Sequence, residues 1–222
     1  MRASILPAIA IMAATACLVA CETTSSKAPA EWDGLQRREV KGLDNVYVRP
    51  NVQFTPYEKV MLDPVQVEFS KDWDPNTSRD ISRHLDAQDL QNIKQGLAAM
   101  VLEDFSKELT AGGYALVSAP ADDTLRVSCA IVNLYINAPD TMSAGRSRTY
   151  TTEAGYMTFV MELRDSVRGQ LLARVVDTRS SGDVGHLQWT NSVTNRADAD
   201  RMISAWAKYL RDGLDRLKGK TS

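Results

Sequence analysis

Two neighbouring stretches of alternating residues constrain the fold of this chain more than any other feature. In residues 155–165, apolar side chains occupy every second position: Met157, Phe159, Met161 and Leu163. Residues 170–178 follow after the short loop Asp165-Ser166-Val167-Arg168-Gly169. A period of two is that of a strand with one buried face, and Asp and Gly favour tight turns. The pattern predicts an antiparallel β-hairpin that covers a core with one face.

A helical period marks the segment from Ala87 to Ala111. Its apolar residues recur at steps of three and four: Leu90, Ile93, Leu97, Val101 and Phe105. Asp86 is the predicted N-cap because its carboxylate can accept a hydrogen bond from the first turn. Gly112-Gly113 favours termination of the helix at its C-terminal end. The segment therefore predicts one long amphipathic helix.

A second amphipathic helix is predicted from about Ala197 to Leu217. One face carries its large apolar residues: Ile203, Trp206, Leu210 and Leu217. Thr194 or Asn195 is the predicted N-cap, since both residues can accept a hydrogen bond at a helix start.

Further strands are predicted between these elements. They lie at Val46–Val48, at residues 59–69, at Tyr114–Ser118 and at Thr124–Asn137. Pro64 lacks an N–H group, so the 59–69 strand should be bent or at an edge there. The order β-α-β-β-β-β-α predicts an α+β fold: a mainly antiparallel sheet of about five strands with two helices packed on one face.

The N-terminus carries a separate signal. Arg2 precedes an apolar run that ends in Leu18-Val19-Ala20-Cys21. The run is shorter than the roughly 20 apolar residues that a stable span needs. This layout resembles the signal peptide of a bacterial lipoprotein. The resemblance implies cleavage between Ala20 and Cys21 and acylation of Cys21. An ordinary secretory signal or a plain membrane anchor is the alternative.

The signal divides the chain into three parts. We expect residues 1–20 to be the lipoprotein signal peptide and residues 21–45 to be the lipidated N-terminus and a flexible tether. Residues 46–222 should form a single α+β domain. The resemblance implies a palmitate-bearing, membrane-held protein of a Gram-negative envelope. Glu22 is not the Asp that retains lipoproteins in the inner membrane of enteric bacteria, so the periplasmic leaflet of the outer membrane is favoured, with the inner membrane as the alternative.

Charge and cysteine content narrow the possible partners. The net charge is −2 over 222 residues, so no basic field indicates nucleic acid as a partner. With Cys17 in the signal and Cys21 acylated, Cys129 is the remaining cysteine and no internal disulfide can form. Cys129 lies at strand spacing among apolar residues, which favours burial. A reactive thiol is the alternative.

Three segments of the domain carry a further resemblance. They are residues 48–65, the hairpin at 162–177, and the final helix around Trp206-Ala207. Together with the signal they resemble the bacterial lipoprotein family known as domain of unknown function 3313. The resemblance implies an envelope location and a fold, and it implies no activity.

Motifs for chemistry are sparse. Asp177, Asp183 and His186 could approach one another as metal ligands, although such a set in a Ser/Gly-rich turn is more often a solvated loop. Without a nucleophile elbow, a phosphate loop or a zinc-binding helix motif, we expect no catalytic residues, no metal and no cofactor. The segment 138–154 carries Arg146, Arg148 and Tyr150; it could contact an envelope partner or be a simple hairpin tip.

These observations together predict a lipid-anchored envelope protein that is not an enzyme. Its domain would face the periplasm and bind or scaffold another component. The expected partners are the membrane, through the acyl chains on Cys21, and an envelope protein or peptidoglycan. Two alternatives remain: an accessory lipoprotein subunit of a transport or export system, and an envelope hydrolase.

Overall fold

The computed structural model describes residues 28–74, 85–136, 150–151, 155–180, 188–189 and 192–219. The strands are β1 (Glu31–Trp32), β2 (Leu35–Arg38), β3 (Asn45–Val48), β4 (Lys59–Leu62), β5 (Gln66–Phe69), β6 (Ala115–Leu116), β7 (Thr124–Tyr135), β8 (Tyr150–Thr151), β9 (Tyr156–Asp165), β10 (Leu171–Ser180) and β11 (Gln188–Trp189). The helices are α1 (Ala87–Ala111) and α2 (Ser192–Leu217). The predicted α+β class is confirmed.

The main sheet has the strand order β1-β2-β3-β10-β9-β7-β4-β6, with β5 also paired to β7. Most neighbours are antiparallel, whereas β4 pairs in parallel with β6 and β7, and β5 pairs in parallel with β7. The predicted hairpin is confirmed as β9 and β10 at the centre of the sheet. The sheet has nine strands in the described residues, more than the predicted five, because several two- to four-residue strands are too short to show a period.

Both helices pack on the same face of this sheet, as predicted. The Phe159 ring on β9 lies 5.6 Å from the Phe105 ring of α1 and stacks at 4.6 Å on Trp206 of α2. One side chain of the hairpin therefore contacts both helices. The core around it is a continuous apolar cluster, which fixes the register of the hairpin because a one-residue slip would turn this face to solvent.

The helix boundaries test the capping predictions. At α1 the Asp86 carboxylate accepts from the Asp89 N–H at 2.8 Å, and Asp89 accepts in return from the Asp86 N–H at 3.2 Å. The predicted N-cap is confirmed. At α2 the prediction is wrong: the helix begins at Ser192, so Thr194 and Asn195 lie inside it. The extra turn is mostly polar, with Val193 as its one apolar residue, and so adds little to the apolar stripe on which the prediction depended.

The predicted strand 59–69 is divided into β4 and β5 at Asp63-Pro64-Val65. The bend at Pro64 is therefore confirmed. β7 has an irregularity of its own between Val132 and Tyr135, where Asn133 has a φ of 52°. These two breaks let one long strand, β7, pair with β4 over one half and with β5 over the other.

The domain begins earlier than residue 46, so the predicted tether over 21–45 is wrong from residue 31 onward. β1 and β2 form a hairpin, and β2 extends the sheet beside β3. Asp33 and Gly34 connect them with φ values of 53° and 73°, the two positive values of a type I′ turn. Leu35 is fully buried with Tyr47. The sequence of this edge hairpin is rich in charged residues, so it lacks the alternation of apolar residues from which strands are predicted.

Candidate functional site

The segments that carried the family resemblance meet at the two ends of the β9–β10 hairpin. At the turn, the Tyr57 hydroxyl donates to Asp165 Oδ2 at 2.9 Å. Near the other end, the Trp206 indole N–H donates to Asp177 Oδ2 at 2.6 Å. Both carboxylates are buried. Each aromatic residue comes from a different segment, so these two hydrogen bonds join distant parts of the chain to the central hairpin.

At the turn, Asp165 orders the loop that it begins. Its Oδ1 accepts from the N–H groups of Val167 at 3.0 Å and Arg168 at 2.6 Å. Gly169 completes the turn with a φ of 66°. Burial alone would raise the pKa of Asp165, but the hydrogen bonds from Arg168 and Tyr57 outweigh it and hold the pKa below its ordinary value. Burial and the same carboxylate raise the pKa of Tyr57 to about 12.

At the other end, Asp177 is the centre of a polar cluster. It accepts from the Asp44 N–H at 2.8 Å and the Arg179 guanidinium at 2.9 Å, in addition to the Trp206 indole. The side chain of Asp177 is 4% exposed. Burial of a carboxylate is costly unless donors surround it, and here an ion pair and two neutral donors do so.

Arg179 and Asp44 extend this cluster toward the loop at residues 39–44. The Arg179 guanidinium donates to the Gly42 carbonyl at 3.1 Å and lies over the Tyr209 ring at 5.6 Å. The Asp44 carboxylate accepts from the Thr178 N–H at 2.9 Å. Gly42 has a φ of 87°, and a Cβ there would lie 1.9 Å from the Tyr209 hydroxyl. The loop is thus held against α2.

A cleft of about 650 Å³ opens beside this cluster. Its lining residues are Gly42, Leu43, Asp44, Asp177, Thr178, Arg179, Ser180, Asp198, Arg201, Met202 and Tyr209. Asp198 and Arg201 form an ion pair across one turn of α2. The charged groups in the cleft are therefore largely paired with one another. Its rim offers exposed polar groups on Thr178 and Ser180, which can hydrogen-bond a ligand.

The other residues singled out from the sequence have different outcomes. Ala20 and Cys21 lie outside the described residues, as do Asp183, His186, Arg146 and Arg148. Asp177 is described, and its contacts are the structural ones given above. Over the described part of the chain, no group of three His, Cys, Asp or Glu side chains is arranged to hold a metal ion.

Cys129 is buried on β7, which confirms the prediction from its strand spacing. Burial raises the pKa of its thiol far above the ordinary value, and the nearby Asp63 charge raises it further. A thiol with such a pKa remains protonated at neutral pH and is a poor nucleophile. Its position therefore fits packing in the core.

Sequence reasoning missed the cluster around Asp177 and Arg179. These residues are two apart on β10, so they share one face, and that spacing was the available signal. Nothing local indicated that Asp44, more than a hundred positions away, would supply a backbone donor. The partners of a buried carboxylate depend on which strands become neighbours, and that is a property of the folded sheet.

The comparison with protein families gives a match over residues 24–210 to the family described as "Protein of unknown function (DUF3313)". The chain belongs to this family. The predicted resemblance is therefore confirmed. The matched span includes the N-terminal hairpin, the Asp165 turn, the cluster around Asp177 and most of α2. Among curated proteins, no match is found.

Several solved structures are similar to this member of the family at low identity. Protein XCC0632 from Xanthomonas campestris has 10% identity and a TM-score of 0.45, with 78% of this chain and 94% of that one covered. The PelC dodecamer from Paraburkholderia phytofirmans has 14% identity and a TM-score of 0.39, with 75% of this chain and 94% of that one covered. A minor lipoprotein from Acinetobacter baumannii has 11% identity and a TM-score of 0.32, with 71% of this chain and 94% of that one covered. Such similarities carry no inference about activity.

Within the described ranges, neither α1 nor α2 is apolar enough over a sufficient length to cross a membrane.

Proposed function

We propose that this protein is a lipid-anchored envelope protein whose domain binds another envelope component and performs no catalysis. The anchor is the acylated Cys21, produced by cleavage after Ala20. The support for it is the apolar run that ends in Leu18-Val19-Ala20-Cys21. Acyl chains contribute about 0.8 kcal/mol for each buried methylene, so several chains give lasting attachment. Because Glu follows the cysteine, the outer membrane is the proposed destination.

The observation that carries the binding role is the pairing of charges in the cleft. Asp177 is bound by Arg179, Trp206 and the Asp44 N–H, and Asp198 is paired with Arg201. A general acid or base needs a titrating group that is free to reach a substrate. Groups that are already engaged hold the cleft in shape, while the exposed rim remains available for recognition.

The anchor is tested by fractionation. Wild-type protein and Cys21→Ser are expressed with their signal, and membranes are separated by density. We expect the wild type in the outer-membrane fraction with an acylated N-terminus by mass spectrometry, and a loss of that modification in Cys21→Ser. An N-terminus produced by cleavage elsewhere, without acyl groups, would overturn the proposed anchor.

The binding role is tested separately by photo-crosslinking in cells. A photoreactive amino acid is placed at Ser180 on the cleft rim or, as a matched control, at the exposed Val167 in the β9–β10 turn. We expect a discrete adduct from position 180 that position 167 does not give. Equal labelling at both positions, or none at 180 under several growth conditions, would contradict a binding role for the cleft.

A further inference from the structure

The side chains that fasten the N-terminal hairpin lie on the face of the sheet that the helices leave uncovered. Val46 and Val175 belong to the helix-side core, so their neighbours Tyr47 and Arg174 point to the opposite face. There Trp32 packs edge-on against Tyr47 with ring centroids 5.6 Å apart. The Arg174 guanidinium lies 4.1 Å from the Trp32 ring centroid. The hairpin is thus fastened to the sheet by an aromatic and a cation–π contact.

Polar contacts hold the same hairpin in place. The Asp33 carboxylate accepts from Arg174 at 2.7 Å, and the Pro29 carbonyl accepts from the Tyr47 hydroxyl at 3.1 Å. The Arg174 side chain is 10% exposed, which shields this ion pair from solvent on one side. The chain is therefore fixed to the domain from Pro29 onward.

The hairpin also sets the direction in which the chain leaves the domain. β1 is antiparallel to β2, and the Ala30 carbonyl accepts from the Arg37 N–H at 2.9 Å. Followed backward from Trp32, the chain therefore runs alongside the end of β2. That end continues into the loop at 39–44, which borders the cleft. We call this end of the sheet, with residues 39–44 and 177–180, the cleft end.

The length of chain between Cys21 and the hairpin is short. Seven peptide bonds join Cys21 to Ala28. Fully extended they reach about 25 Å. The β9–β10 turn lies roughly 20 Å beyond the level at which the chain leaves the domain. This distance is the length of β10 between that level and the turn, at about 3.3 Å for each residue.

We propose that the N-terminal hairpin orients the domain on the membrane, with the cleft end facing the lipid surface and the β9–β10 turn pointing away. The inference rests on the proposed acylation of Cys21. In the reverse orientation the tether would have to be close to its full extension, which costs conformational entropy. A tether free up to residue 45 would reach about 85 Å and would impose no orientation. The cleft then takes ligands that are presented at the membrane surface.

The test measures how near each end lies to lipid. An azide-bearing amino acid replaces Lys41 at the cleft end or Val167 in the β9–β10 turn; both positions are exposed. The acylated full-length product is reconstituted in phosphatidylethanolamine–phosphatidylglycerol vesicles with headgroup-attached quencher, and a dye is coupled to the azide. We expect quenching at position 41 to be several-fold stronger than at 167. Equal or reversed quenching overturns the proposal.

A failure of acylation is distinguished by flotation of the vesicles. If the protein does not float, the proposed anchor has failed, and the thiol of Cys21 is coupled to a maleimide lipid instead. The orientation is then measured on that product, since the buried Cys129 does not compete for the reagent. The quenching contrast between positions 41 and 167 decides the inference in either case.

Matched variants test the role of the hairpin itself. The double variant Trp32→Ala/Asp33→Ala removes both contacts to Arg174, and Trp32 is 42% exposed, so the core is left intact. Leu116→Ala, at a residue 40% exposed on β6, is the control. We expect the quenching contrast to fall toward equality in the double variant and to stay unchanged in the control. A contrast that survives in the double variant overturns the orienting role of the hairpin.

Discussion

The Trp206 indole nitrogen lies 2.6 Å from Asp177 Oδ2, and this hydrogen bond fastens α2 to the central hairpin. Both residues are buried, and the Trp206 ring also stacks on Phe159. One residue thus combines an apolar contact with a polar one. If the indole N–H of Trp206 is removed, the Asp177 carboxylate stays buried but loses one of its hydrogen-bond donors.

Replacement of Trp206 by Phe tests this contact. We expect Trp206→Phe to lower the free energy of unfolding by about 2–4 kcal/mol, from the lost hydrogen bond to a buried carboxylate and the smaller ring. Urea denaturation followed by circular dichroism measures it. Trp32→Phe, at an exposed tryptophan, should change the stability by less than about 1 kcal/mol. Equal losses in the two variants would contradict the proposed role of Asp177.

Asp165 should give a measurable dependence of stability on acid pH. Its pKa is depressed in the folded state, so its contribution is present above the unfolded value of about 3.9 and is lost as the pH falls through the folded pKa. Asp165→Asn should therefore unfold with a shallower dependence of stability on pH below about 4. At neutral pH it should lose about 1–3 kcal/mol. Parallel curves for variant and wild type in acid would refute this assignment.

Tyr57 makes the corresponding prediction at alkaline pH. Its pKa is raised to about 12 in the folded protein, so its contribution is present below the unfolded value and is lost as the pH rises through the folded pKa. Tyr57→Phe should abolish this part of the alkaline loss of stability. Thermal unfolding between about pH 10 and pH 12 measures the difference, from the ordinary tyrosine pKa to the raised one. An unchanged alkaline slope would count against the Tyr57–Asp165 hydrogen bond.

Two glycines should respond to alanine in opposite directions. Gly42 has a positive φ and a Cβ there would collide with the Tyr209 hydroxyl, so Gly42→Ala should destabilise the protein by about 1–3 kcal/mol. Gly96 lies inside α1 with open space around it, so Gly96→Ala should stabilise by about 0.5–1 kcal/mol. Differential scanning calorimetry gives both values. A neutral Gly42→Ala would show that the loop at 39–44 is not held against α2.

The central hairpin and α1 could be predicted from the sequence because their signals are local. The alternation through Phe159 defines a buried face, and Asp86 caps its helix through residues three positions away. Such patterns depend on the geometry of one strand or one helix alone. The family resemblance was visible for the same reason, since its motifs are short runs such as the Asp165–Gly169 turn.

The sequence alone also predicts Cys21 as the point of attachment, through the residues directly before it. Only the tertiary structure decided where the tether ends, because β1 and β2 hold their place through Tyr47 and Arg174, which lie far away in the chain. It also decided the function of the buried carboxylates. From the sequence Asp177 is a candidate ligand for a metal; in the fold its carboxylate accepts hydrogen bonds from Trp206, Arg179 and Asp44. A long-range partner changes the energy of a buried charge by several kcal/mol, and no local pattern records which partner the fold will supply.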